Sequence, residues 1–191
     1  NLTLRSLYPS LPQPPATTVI PALGATKGDS FESPILSPNE AEYASFRKAT
    51  VQVIVRNFFP IDLEVGILPE QSTPGFVITT PGQKDIFMPL TALQRTIPKS
   101  QTRGDSISTG GAITLQIADQ MLTQDSRIKA VVTSAGSNGK QISYDSTNIL
   151  QVNVRIKNTT IRQAKLAISK QPLRFLVTTP LMDGATLTEA E

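Results

Sequence analysis

A run of alternating side chains near the end of the sequence constrains the fold more than any other feature. Within residues 148–168, polar residues separate the apolar residues Leu150, Val152, Val154 and Ile156. Successive side chains of a β-strand point to opposite faces, so this period of two predicts a strand with one buried and one solvated face. Turn-forming residues at 158–160 and a second alternation through residue 168 predict that the strand folds back as a hairpin.

The same alternation recurs along the rest of the chain. A second hairpin is predicted over residues 51–67, and Asn138-Gly139 predicts a third, because Asn-Gly suits a type I′ turn. Helical turns are expected only at residues 41–48 and 91–95. Further strands are predicted at residues 76–80, 85–90, 112–118, 127–133, 142–144 and 173–177.

This pattern predicts an all-β fold. Eight to ten strands, each with one apolar face, are covered most simply by a second sheet, which favours an antiparallel β-sandwich of jelly-roll or immunoglobulin-like topology. The predicted organisation is an extended Pro-rich N-terminal arm over residues 1–40, the β-sandwich over residues 41–180 and a polar C-terminal tail over residues 181–191.

The N-terminal arm carries prolines too densely for a helix or a central strand, because each proline fixes φ and removes a backbone donor. It also carries much apolar surface, and an extended apolar segment binds along a partner by strand-like or polyproline-like contacts. That partner is either the chain's own sandwich or a neighbouring subunit. For the neighbouring subunit we predict that the binding residues are Leu4, Leu7, Tyr8, Leu11, Val19, Ile20 and Leu23, and that the arm can be removed without loss of the fold.

The composition argues against an enzyme. The chain has no Cys and no His, which removes thiol nucleophiles, thiolate metal sites and the commonest general base and zinc ligand. We therefore predict no catalytic residues, no cofactor, no metal and no small-molecule substrate. No run of 18 apolar residues is present, so no transmembrane helix is predicted.

The net charge of +3 is unevenly distributed. Residues 111–170 contain eight basic and three acidic side chains, whereas residues 1–110 are balanced. Such a surplus could steer an anionic partner, but long cations on a solvated strand face, which discourage edge pairing, account for it more simply. No basic run with interleaved aromatic residues is present, so no specific nucleic-acid recognition is predicted.

Three short motifs are weak candidates for sites. Arg103-Gly104-Asp105 is the tripeptide that integrins read, in a loop predicted to be exposed. Residues 136–140 have the glycines and lysine of a phosphate-binding loop, but they lack its spacing. Asp119 and Asp125 flank a predicted loop and could contribute oxygen ligands to Ca²⁺. Chance occurrence is the simpler interpretation of each.

A β-sandwich with an apolar arm and no catalytic residue types is typical of subunits of protein shells and filaments. We therefore expect a structural subunit of a virus or phage particle, such as a capsid, decoration or tail protein, located in the virion. Its expected partners are further copies of itself and other shell or filament proteins. Two alternatives stay open: a secreted, extracellular or cell-surface filament subunit joined by strand addition, and a carbohydrate- or receptor-binding β-sandwich module.

Overall fold

A computed structural model describes residues 1–24, 30–36, 41–68, 70–105 and 111–166. Within these ranges the chain forms thirteen β-strands and two single helical turns. The predicted strand at 173–177 and the predicted tail at 181–191 lie outside the described residues.

The elements follow one another as short strands, with three long ones among them. In chain order they are β1 Leu2–Thr3, α1 Leu4–Leu7, β2 Ala16–Val19, β3 Ser30–Pro34, β4 Ala41–Asn57, β5 Leu63–Val65, β6 Gly75–Thr79, β7 Ile86–Pro89, α2 Ala92–Arg95, β8 Thr96–Ile97, β9 Gln101–Arg103, β10 Ile113–Thr123, β11 Arg127–Thr133, β12 Gln141–Tyr144 and β13 Ile149–Leu166.

The strands form two large sheets and one small one, and every pairing is antiparallel. One large sheet has the order β1-β13-β4-β10, with β9 also pairing with β4, and the other has the order β7-β6-β11-β5-β8, with β3 pairing with β11. Strands β12 and β2 form the small sheet. A single apolar cluster takes side chains from both large sheets. The fold is therefore all-β and sandwich-like, as the alternation predicts.

Strand β4 is the centre of its sheet. Val51, Val53 and Val55 join the core on one face, and Thr50 and Gln52 are buried on the other. The two polar side chains are hydrogen-bonded, since the Thr50 hydroxyl donates to Gln116 (3.0 Å) and Gln52 Nε2 donates to the carbonyl of Gly104 (2.8 Å). A strand buried on both faces explains why residues 51–55 are apolar apart from Gln52.

The predicted hairpin around Asn158 is wrong. β13 continues through this point as one strand that pairs with β4 from Leu150 to Leu166. Asn158 has a φ of 49°, and the register shifts between Lys157 and Thr160, so the turn-forming residues make a β-bulge. An asparagine adopts a positive φ at low cost in a bulge as well as in a turn, so the local sequence is compatible with both.

The other two hairpins are wrong as well. β4 and β5 lie in different sheets, and so do β11 and β12, since β12 pairs with β2. The helix predicted at 41–48 is also wrong, because this segment is the start of β4 and pairs with both β10 and β13. Two neighbouring strands supply more backbone hydrogen bonds than two isolated helical turns can. The helical turn at 91–95 is confirmed as α2, where the side chains of Thr91 and Gln94 form a capping box.

Asn57 gives a test of how the end of β4 is held. Its side chain is 1% exposed, donates to the carbonyls of Ile61 and Ile97 (both 2.9 Å) and accepts from the Phe59 amide (2.9 Å). Asn57→Ala leaves these three buried groups unpaired, so we expect it to lower the free energy of unfolding by about 3 kcal/mol. Urea unfolding measures this loss. Asn153→Ala is the control and is expected to change it by roughly 0.5 kcal/mol; equal losses would contradict the structural role of Asn57.

Candidate subunit interface

The structure places six of the seven predicted subunit-binding residues in the chain's own core. Val19 is the exception and is 42% exposed. The other six are Leu4, Leu7, Tyr8, Leu11, Ile20 and Leu23, each at most 9% exposed. The arm pairs with the sandwich through β1 and β2, and Leu23 forms a β-bridge with Ser134. This part of the arm is therefore docked on its own domain, and its binding to a neighbouring subunit stays a prediction.

The segment that resembled a phosphate loop anchors this arm. Ser137 donates its amide to the carbonyl of Ile20 (2.9 Å), and its hydroxyl accepts the Ile20 amide (3.0 Å). Gly136 has a φ of +70°, and a Cβ there would lie 2.4 Å from the carbonyl oxygens of Ile20 and Pro21. Because glycine has no Cβ, it permits this close approach of the two backbones.

The integrin-type tripeptide is not presented as an exposed loop. Arg103 is 8% exposed, its backbone pairs with Val55 in β4, and its Nε donates to the carbonyl of Thr96 (2.7 Å). Gly104 packs directly on the backbone of Val53. The predicted exposure of this motif is therefore wrong for Arg103, whose cation is used inside the fold.

One edge of β13 is free of pairing among the described residues. Strand β1 pairs with Ile149 and Leu150, and from Gln151 onward the structure shows β13 pairing only with β4. The register with β4 is regular from Leu150 to Lys157 and becomes irregular beyond it. We call the outer side of residues 151–157 the β13 edge. It is bounded by β1 at one end and by the bulge at Asn158 at the other.

The backbone groups of this edge can be assigned to a side. The Ile149 carbonyl accepts from the Phe58 amide at the end of β4 (3.0 Å), so the backbone groups of residue 149 point toward β4. The direction alternates along a strand. Hence the N–H and C=O groups of Val152, Val154 and Ile156 point away from β4. The edge therefore presents three residues whose backbone groups can pair with an added strand.

The apolar side chains of the same three residues are incompletely covered. Val152, Val154 and Ile156 pack against the core, as the alternation predicts, but each is only partly buried. They lie opposite Val55, Val53 and Val51, whose side chains are at most 1% exposed. A further strand at the edge would bring the outer three closer to the burial of the inner three.

The cations of β13 fall into two groups. Arg162 pairs with Asp119 and Lys165 with Glu42, each at 2.7 Å, and the hydrogen bond that Lys165 donates to the Glu42 carboxylate raises the pKa of Lys165. Arg155 and Lys157 have no carboxylate partner within the described ranges. The β13 edge is consequently positive.

Asp119 is used in an ion pair, and the described parts of the chain contain no group of three acidic residues suited to a metal ion.

Two adjoining clefts of about 490 and 230 Å³ lie between the arm and the turn before β13. They share Tyr144, Asp145 and Asn148. The Thr147 hydroxyl and amide donate to the Asp145 carboxylate and hold its pKa below the usual value. Tyr144 is 4% exposed, and its hydroxyl donates to the Pro12 carbonyl, as buried tyrosines usually do to a nearby acceptor. Neither cleft is lined by an exposed aromatic ring.

Comparison with known proteins gives no relative: no family model, no curated protein and no solved structure matches this chain. Over the described residues, no helix has the length and apolar character needed to cross a membrane. The β13 edge was not recognised in the sequence, because the expected hairpin would have paired the first half of this strand with its second half. The unpaired cations Arg155 and Lys157, on an otherwise regular alternation, are the signal that could have indicated an edge strand.

Proposed function

We propose that this protein is a structural subunit of a multi-subunit assembly and that the β13 edge is one of its contacts. The observation that carries the proposal is the coincidence, over residues 151–157, of outward backbone groups with half-buried apolar side chains. An added strand would form main-chain hydrogen bonds with the outward backbone groups and would bury more of the apolar side chains. Neither gain requires a catalytic residue, in agreement with a chain that has no His and no Cys.

A virus or phage particle protein is the first candidate for this role. A secreted filament subunit is the second, because strand addition at an open edge is also the way in which such filaments can be linked. The two differ in export. A signal segment encoded ahead of Asn1 in the full reading frame would favour the filament, whereas a reading frame without one, among genes for particle proteins, would favour the virion.

Residue-resolved hydrogen exchange tests the contact. In the monomer, the amides of Val152, Val154 and Ile156 are expected to exchange fast, while those of Asn153 and Arg155, which point toward β4, are protected. On assembly at high protein concentration the first set should become protected and the second should not change. The second set is thus an internal control within the same strand.

Light scattering and sedimentation give the matching size measurement. We expect the mass to rise with concentration together with the protection of the three outward amides. A chain that stays monomeric at millimolar concentration, or that assembles while these amides still exchange fast, would contradict the β13 edge as a subunit contact.

A further inference from the structure

We infer that the partner of the β13 edge is the same edge of a second copy, related by a two-fold axis through Val154. This inference rests on the proposed function and specifies its contact. Two antiparallel copies of the edge would join two of the five-stranded sheets into one continuous sheet. Such an isologous contact needs only one self-complementary surface.

The length of the edge restricts the register. In a two-fold pairing centred on one residue, the residues before the centre lie opposite those at equal distance after it. β1 blocks the edge at Leu150, and the bulge ends it at Asn158. A centre at Val154 places Gln151 opposite Lys157 of the second copy and uses all seven edge residues. Centres at residues 152 or 153 use only three or five residues before they meet β1.

The charges exclude the centres on the other side. A centre at Arg155 places this cation opposite itself, and a centre at Ile156 places Arg155 opposite Lys157 of the second copy. Like charges directly opposite each other destabilise a strand pair. With Val154 at the centre, Arg155 lies opposite Asn153 and Lys157 opposite Gln151, so every cation faces a neutral amide side chain.

The apolar side chains are complementary in the same register. Val154 lies opposite Val154 of the second copy, and Val152 lies opposite Ile156. All of these side chains are on the core face, because residues directly opposite in a sheet share a face. The pairing also places the outward backbone groups of Val154 opposite each other as a hydrogen-bonded pair. Register, charge and burial therefore select one arrangement.

Single cysteines test this register, since the chain contains no other thiol. Val154→Cys is expected to form a disulfide-linked dimer under mild oxidation, because Cα atoms of a hydrogen-bonded pair lie about 5.5 Å apart. Val152→Cys and Ile156→Cys are the controls. In a dimer of either variant alone the two cysteines lie roughly 13 Å apart, too far for a disulfide. An equimolar mixture of the two should form the mixed disulfide.

Asn153 gives a second, independent test on the dimer itself. In the Asn153→Asp variant the new carboxylate lies opposite Arg155 of the second copy, and the two-fold axis produces this pair twice. We expect the dimer Kd to fall by roughly threefold to tenfold. Asn153→Lys should raise it by a similar factor. The two variants introduce opposite charges at the same position of the monomer. Thermal unfolding at low concentration is expected to show that both are folded, which separates stability from association.

The outcomes distinguish this inference from the proposed function. An assembly in which Val154→Cys forms no disulfide and the Asn153 variants have equal Kd would overturn the two-fold register, yet leave the subunit proposal standing. A wild-type chain that never associates would overturn both. A third outcome is that the outward amides are protected in the monomer and become exposed when the chain is truncated after Leu166. This result would assign the edge to the chain's own residues 167–191 and overturn the inference.

Discussion

Replacing Gly104 with alanine is expected to prevent folding. An added Cβ would lie 1.8 Å from the carbonyl oxygen of Val53 and 2.9 Å from its carbonyl carbon. These are backbone atoms in the middle of β4, which pairs on both sides and cannot shift without disturbing the sheet. The φ of +86° adds a conformational penalty. We expect a loss of more than about 4 kcal/mol, or an insoluble product, measured by urea unfolding and soluble yield.

Gly139→Ala is the matched control for this result. Gly139 has a similar φ of +76°, but nothing lies within 4 Å of the Cβ position. This variant has the conformational penalty without the clash, so it should fold and lose about 1 kcal/mol. Equal losses in the two variants would mean that the approach of Gly104 to β4 does not matter for stability.

Removing residues 1–24 is the second change with a large expected effect. We expect the shortened chain to lose cooperative unfolding, because the deletion takes away β1, α1 and β2 and six core side chains. Leu150, which pairs with Leu2 and is itself 0% exposed, would face solvent at the edge of its sheet. This expectation replaces the prediction from sequence that the arm can be removed without loss of the fold. Circular dichroism during thermal unfolding measures the change.

Two neighbouring substitutions serve as a milder test of the same arm. Ile20 is 1% exposed and Val19 is 42% exposed. Ile20→Ala is expected to cost about 3 kcal/mol, whereas Val19→Ala should cost under about 1 kcal/mol. A truncated chain that still unfolds cooperatively, together with equal tolerance of both substitutions, would show that the arm is separable from the core.

The sequence was sufficient to predict which side chains face the core in several strands. Ile128, Ala130 and Val132 are buried as their alternation indicates. Of the three residues that the alternation places inward in β10, Ile113 and Ile117 are buried and Leu115 is partly buried. This success has a simple physical basis, because side-chain direction in a strand depends only on the local backbone. The all-β class follows from the same local property, repeated over many segments.

Strand pairing could not be predicted in the same way. The local residues at Asn158 and at Asn138-Gly139 suit a hairpin, but they also suit a bulge and a turn between strands of different sheets. The choice depends on partners far away in sequence, such as β4 for β13 and β2 for β12. Such long-range pairings are stabilised by packing and hydrogen bonds that no short window contains.

The candidate interface shows the same division. The sequence by itself determined the apolar alternation of Val152, Val154 and Ile156, and it determined the cations between and beyond them. Only the tertiary structure decided that β4 takes one side of this strand, that β1 stops at Leu150 and that no other described strand pairs with the outer side of residues 151–157. The alternation of a strand is a property of its own side chains. Whether one of its sides is an edge depends on whether another described strand pairs with it, and therefore on the tertiary structure.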